Sequence, residues 1–148
     1  MDMNFSLAVP GEAPTIPLVR RVVGDVLRGL GAGEDCVGDL LIALSEACTN
    51  AVQHGRGDYE VAGLVDGDSC HLRIMDWGRG ASEASLTSDR GDLAESGRGI
   101  RIMRALVDEV TIDPATDRGT IVHLRKRLTW RDGAVIRRLD RRLTHSAG

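Results

Sequence analysis

Residues 40–54 read Leu40-Leu41-Ile42-Ala43-Leu44-Ser45-Glu46-Ala47-Cys48-Thr49-Asn50-Ala51-Val52-Gln53-His54, a run with the period of a helix. On a 3.6-residue wheel, Val37, Leu40, Leu41, Leu44, Cys48, Ala51 and Val52 form one stripe wide enough to face a core. Glu46 and Asn50 stand one turn apart and stack on a side roughly opposite that stripe, with Asp39 and Ala43 beside them. A carboxylate one turn from a carboxamide can hold a water or hydroxyl beside a hydrated magnesium ion. Taken alone, the pair is also what a solvated polar face carries.

Upstream, Gly33-Glu34-Asp35 places acids at the positive end of this helix. Before it, Val19, Val22, Val23, Val26, Leu27 and Leu30 recur at steps of three and four, an amphipathic helix closed by Gly29 and Gly31. Earlier still, Phe5, Leu7 and Val9 share one face of a half-buried strand over 4–9, and Pro10-Gly11 ends it.

Downstream, Gly55 and Gly57 stop the long helix. Tyr59–Val65 reads as a strand, Asp66-Gly67-Asp68-Ser69 as a hairpin turn and Cys70–Asp76 as the returning strand. Cys70, Leu72, Ile74 and Asp76 share one face. A carboxylate at the end of an apolar face is costly without a partner. The exocyclic amine of a ligand would be one partner; the backbone of the following turn would be another.

Asp76-Trp77-Gly78-Arg79-Gly80 follows, with glycines that let backbone approach a ligand closely. Residues 81–96 show no sustained period and read as a long loop of the lid or mobile kind. Gly97-Arg98-Gly99 then opens a helix carrying Ile100, Met103, Leu106 and Val107; backbone N–H groups at such a start form an anion site. Val110–Ile112 and Thr120–Arg125 are short strands around a turn at 114–119, and a short basic helix is expected around Val135, Ile136, Leu139 and Leu143. Tight turns between strand pairs favour antiparallel pairing with the helices on one face, an α+β two-layer sandwich.

The chain has 148 residues, 42% hydrophobic and 28% charged, which suits one globular domain. It shows no apolar run of membrane-span length and no signal-type start, so the expectation is a cytoplasmic protein without membrane contact. Cys36, Cys48 and Cys70 form no metal-ligand pattern and read as reduced, buried thiols. Residues 125–142 hold eight Arg or Lys and two Asp, a local +6 against −9 for the rest. Aromatic side chains are not interleaved with these arginines, so direct nucleic-acid binding is not expected. The domain is placed at 1–128 and a basic tail at 129–148.

The motifs occur in a specific order: Glu-x-x-x-Asn on a helix, Asp-x-Gly-x-Gly after a strand, a loop, Gly-x-Gly at a helix, and Gly-Thr before the last strand. This order resembles the GHKL ATP-binding fold shared by gyrase, Hsp90, histidine kinases and MutL. Within it, Ser45–Gly55, Glu95–Met103 and Gly119–Lys126 resemble the anti-sigma-factor serine kinases of bacterial sporulation and stress responses. The resemblance implies ATP and Mg2+ as ligands. Its partners would be a sigma factor that is sequestered, a STAS-type antagonist that is phosphorylated on serine or threonine, and a second copy of the chain. It makes Glu46 the general base, Asn50 the magnesium ligand, His54 a ligand contact and Asp76 the adenine-recognition carboxylate. Gly78 and Gly80 would line the adenine pocket; Gly97, Arg98 and Gly99 would meet the phosphates; Thr120 would supply a hydroxyl nearby. One departure is Glu95, where some of these kinases carry an arginine near the terminal phosphate; Arg98 and Arg90 are the cations left to replace it. A nucleotide-dependent binding module without transfer is the alternative reading.

Overall fold

The computed structural model describes residues 2–55, 57–77, 92–114 and 119–132. In chain order these form β1 (Asp2–Val9), α1 (Thr15–Leu30), α2 (Glu34–His54), β2 (Tyr59–Asp66), β3 (Ser69–Asp76), α3 (Asp92–Leu106), β4 (Glu109–Pro114) and β5 (Thr120–Arg127). The strands make one sheet in the order β1-β2-β3-β5-β4, with every neighbouring pair antiparallel. The helices cover one face, as the α+β sandwich requires.

Alternation sets the register. Tyr59, Val61 and Val65 on β2, Cys70, Leu72, Ile74 and Asp76 on β3, and Thr120, Val122 and Leu124 on β5 are all buried beneath the helices. Three free cysteines lie in this core, as expected.

Helix α1 buries Val19, Val23 and Leu27, one stripe at four-residue steps. It ends in a left-handed glycine, Gly31 at φ 98°, whose N–H donates to Arg28 O at 3.0 Å while Ala32 N–H donates to Leu27 O at 3.0 Å. That pair of bonds satisfies the last carbonyls and turns the chain directly into α2.

Helix α2 lies on β3 and β5 between α1 and α3. Its burial is wider than one stripe. Ala43 and Ala47 are fully buried, and Asn50 is 6% exposed. The side expected to lie opposite the core is therefore a second packing face, because small residues there let α3 approach. Helix α3 also differs from expectation. It begins at Asp92, so 92–96 are helical rather than loop, and Gly97, Arg98 and Gly99 lie past its first turn. Their N–H groups are thus not the free donors of a helix start. Gly78 and Gly80, Arg90 and the basic helix expected near Val135 fall outside the described residues.

The segment after β5 stays attached. Gly33 N–H donates to Thr129 O at 2.7 Å, Arg131 N–H to Gly31 O at 2.8 Å, and the Trp130 indole to Asp68 Oδ1 at 2.8 Å. These bonds tie residues 129–131, expected to begin a tail, to the α1–α2 turn and the β2–β3 hairpin. Among the described residues no helix is long and apolar enough to cross a membrane.

Candidate functional site

Two cavities meet at Asn50. One is lined by Ala47, Asn50, Ala51, His54, Ile74, Asp76, Thr120 and Val122 and encloses ≈ 10 Å³. The other, ≈ 190 Å³, is lined by Glu46, Thr49, Asn50, Gln53, Arg98, Gly99 and Ile102. The expected residues that are described thus divide into two groups joined by one carboxamide.

Helix α2 supplies the hinge of this arrangement. Glu46 and Asn50 are one turn apart, and His54 follows one turn later, so all three rise along one side of the helix. Asn50 Nδ2 is buried and has no hydrogen-bond partner among the described residues. A donor left so costs roughly 1–3 kcal/mol, which folding alone gives no reason to keep. Asn50 lines both cavities, and its unpaired N–H is a donor that an acceptor atom of a ligand could satisfy. Among the described residues, no group of three or more His, Cys, Asp or Glu is placed to hold a metal by itself. A cation at Asn50 would have to take its other oxygens from water and a ligand, the habit of magnesium.

The sheet supplies the other wall. Asp76 ends β3 at 7% exposure and faces Thr120, 3% exposed, across the β3–β5 ladder. A Cβ at Gly119 would overlap the carbonyl oxygen of Asp76. That close approach explains glycine before Thr120 and fixes the two polar side chains side by side. The inward aim of Asp76, read from alternation, is what the structure has.

On the phosphate side of the motif order, Gly99 packs directly on the candidate base. A Cβ there would stand 3.0 Å from Glu46 Oε2. Gly97 is buried and Arg98 is exposed at the cavity's rim. Thr49, Gln53 and Ile102 line the same cavity without having been singled out in the sequence. Thr49 and Gln53 stand at i+3 and i+7 from Glu46, and that spacing was the available signal. A larger groove of ≈ 710 Å³ lies on the far face of the sheet around Ser6, Leu64, His71 and His123, and holds none of the expected residues. Burial and the neighbouring His71, aided by Arg73, hold the His123 imidazole below its ordinary pKa against the opposing pull of Glu109 and Asp113.

Comparison with known proteins shows the family. Residues 9–126 match the histidine kinase-like ATPase domain. The chain belongs to that family. An anti-sigma F factor of Anoxybacillus flavithermus is 33% identical over 139 residues, spanning 87% of this chain and 92% of that one. A serine-protein kinase RsbW of Bacillus velezensis is 31% identical over 122 residues, spanning 73% and 76%. Among solved structures, the RsbU and RsbW domains of a Mycobacterium tuberculosis protein superpose with a TM-score of 0.66 at 24% identity. That match covers 85% of this chain and 32% of the other, and it shows the shared fold.

Proposed function

We propose that this chain is a cytoplasmic anti-sigma factor and ATP-dependent serine/threonine-protein kinase. It would sequester a sigma factor, phosphorylate a STAS-type antagonist of that sequestration, and act as a homodimer. The observation that carries the reading is Asn50. Its buried amide nitrogen has no partner among the described residues, and it stands between an Asp76–Thr120 wall and a Glu46–Arg98 cavity. The names of the relatives support the same activity and partners.

In this reading Asp76 accepts a hydrogen bond from the adenine amine, and the Thr120 hydroxyl beside it completes the polar wall. The space enclosed there, ≈ 10 Å³, holds about one water. Asn50, through its side-chain oxygen, is the residue that would hold magnesium, and the ion when bound neutralises phosphate charge. Arg98 stands at the rim, where its guanidinium meets the terminal phosphate oxygens. Glu46 takes the proton from the acceptor hydroxyl as its oxygen bonds to the terminal phosphorus. The bond from that phosphorus to the bridging oxygen breaks, and ADP carries the electron pair away. Such transfer needs positioning and charge neutralisation more than covalent catalysis by the protein.

The test is an ATP titration with and without magnesium on wild type and Asn50→Ala. Magnesium-dependent affinity present in wild type and lost in the variant is the expected result. Near-native affinity in the variant would remove Asn50 from the site.

A further inference from the structure

The face of the sheet turned away from the helices carries a pair of imidazoles that phosphoryl transfer does not use. His71 lies on β3 and His123 on β5, diagonal to one another, since His71 pairs with Arg125 and Arg73 with His123. Alternation sends both rings to the far face, because Cys70 and Leu72 flank the first, Val122 and Leu124 flank the second, and all four are buried under the helices. Diagonal neighbours in a ladder are within reach of long and aromatic side chains. Here His71 Nδ1 and His123 Nε2 stand 3.3 Å apart. The ring centroids are 5.4 Å apart, so the two nitrogens lie between the rings and face one another.

That spacing separates two uses of the pair. An N–H donor bond usually spans about 2.7–3.2 Å, most often about 2.9–3.0 Å. Two imidazole nitrogens on one tetrahedral zinc ion, each about 2.0–2.1 Å from the metal, are about 3.3–3.4 Å apart. The observed distance is long for the first and suits the second. The backbone holds it, because β3 is laddered to β2 and β5, and β5 to β3 and β4, so neither strand is an edge. Both rings are half-buried and open onto the ≈ 710 Å³ groove, which gives an ion and its waters access. Neighbouring charges offset one another. Arg73 and Arg125 flank the pair, while Glu109 bonds Arg125 at 3.2 Å and Asp113 acts on His123 from β4. Burial, with His71, holds His123 below its ordinary pKa, which favours the neutral ring that can ligate.

We infer that His71 and His123 form a site for a divalent transition-metal ion of the zinc class, bound through His71 Nδ1 and His123 Nε2, with its remaining positions open to the groove. Among the described residues no third His, Cys, Asp or Glu joins the pair, so those positions fall to water or to a donor atom of a ligand seated in the groove. Imidazole suits zinc, copper and nickel, whereas magnesium takes oxygen, so this site is separate from any metal at Asn50. Each ligating nitrogen gives its lone pair to the ion. The ring whose proton lay between the two carries it on its other nitrogen instead. The bound ion ties β3 to β5 and stabilises the folded chain by mass action.

The experiment titrates the untagged full chain with Zn2+, without nucleotide, by calorimetry and thermal unfolding. One Zn2+ per chain is expected, with Tm raised by about 5–10 °C at a hundredfold excess over the dissociation constant. His71→Gln and His123→Gln each keep a hydrogen-bonding side chain and should unfold near the wild-type temperature in the absence of metal. A residue that merely orients a metal ligand is worth roughly 10–100-fold in affinity, so loss of a ligand itself should weaken Zn2+ binding at least about tenfold. Electron spin resonance of the wild-type chain with Cu2+ reads the ligands without any variant and should show two coordinated imidazoles. Undiminished Zn2+ binding in either variant would overturn the site. So would a wild-type chain that binds no Zn2+, or a copper spectrum with fewer than two imidazoles.

Discussion

Gly99 sets stability and chemistry against each other. Replacing a helix-interior glycine with alanine normally stabilises by about 1 kcal/mol, because alanine loses less conformational freedom on folding. At Gly99 the added Cβ would stand 3.0 Å from Glu46 Oε2, and 3.7 Å from Glu46 Cβ. The first distance is a few tenths of an ångström too short. The carboxylate is the far end of a flexible side chain in a ≈ 190 Å³ cavity, so it can move aside at little cost. Gly99→Ala should therefore keep or raise stability, by up to about 1 kcal/mol or roughly 2–4 °C in Tm. The moved carboxylate is the proposed base. A displacement near 1 Å costs on the order of a hundredfold in rate, so a few tenths should cost roughly fivefold. Thermal unfolding and single-turnover transfer with saturating ATP would read the two effects separately. A variant destabilised by more than about 2 kcal/mol would mean that α3 does not sit on Glu46 with room to yield. A more stable variant with undiminished transfer would mean that the carboxylate position does not matter.

Other perturbations probe the remaining parts. Asn50→Ala removes a buried donor that has no partner among the described residues, so it should lose magnesium-dependent ATP binding yet cost no more than about 1 kcal/mol of stability in denaturant titrations without nucleotide. A large destabilisation would mark Asn50 as a structural residue. Asp76→Asn should erode the preference for ATP over GTP in competition binding; unchanged discrimination would remove Asp76 from base recognition. Burial pushes the Cys48 and Cys70 thiols from 9.0 up to about 12, and the Tyr59 hydroxyl from 10.0 up to about 12. The unfolded chain then releases these protons first. Stability is complete below pH 9 and falls as pH rises from about 9 toward 12. Denaturant midpoints at pH 8, 10 and 11 would follow that slope, and a flat profile would contradict the burial.

Much of this was legible in the chain because sheet and helix periods differ. Alternation placed Asp76 on the buried face of β3, whereas Thr120 lies opposite it through the β3–β5 register, a long-range pairing that alternation alone does not show. The i, i+4 spacing placed Glu46 and Asn50 together. What the wheel missed was the second face of α2. Ala43 and Ala47 carry too little apolar surface to register as a stripe, yet their small size is what admits α3. The start of α3 was hidden for a related reason. Asp92–Ser96 contains mostly polar and small residues, and Gly97 and Gly99 weaken helix propensity, so the run resembles a loop ending at a helix start. Packing on α2 overrides that local preference, and Gly99 is small because Glu46 lies against it. Residues 129–131 read as the start of a basic tail, because bonds to Gly31, Gly33 and Asp68 depend on elements about sixty to a hundred positions away.

The most direct test of the central claim is transfer of the terminal phosphate of ATP by wild type and by Glu46→Ala, with ATP binding measured in the same preparations. The expected result is a small protein labelled on serine or threonine by wild type alone, while both proteins bind ATP equally. Equal labelling by Glu46→Ala would assign the proton to another group. No labelling by wild type, with ATP bound, would make the chain a nucleotide-dependent binding module rather than a kinase.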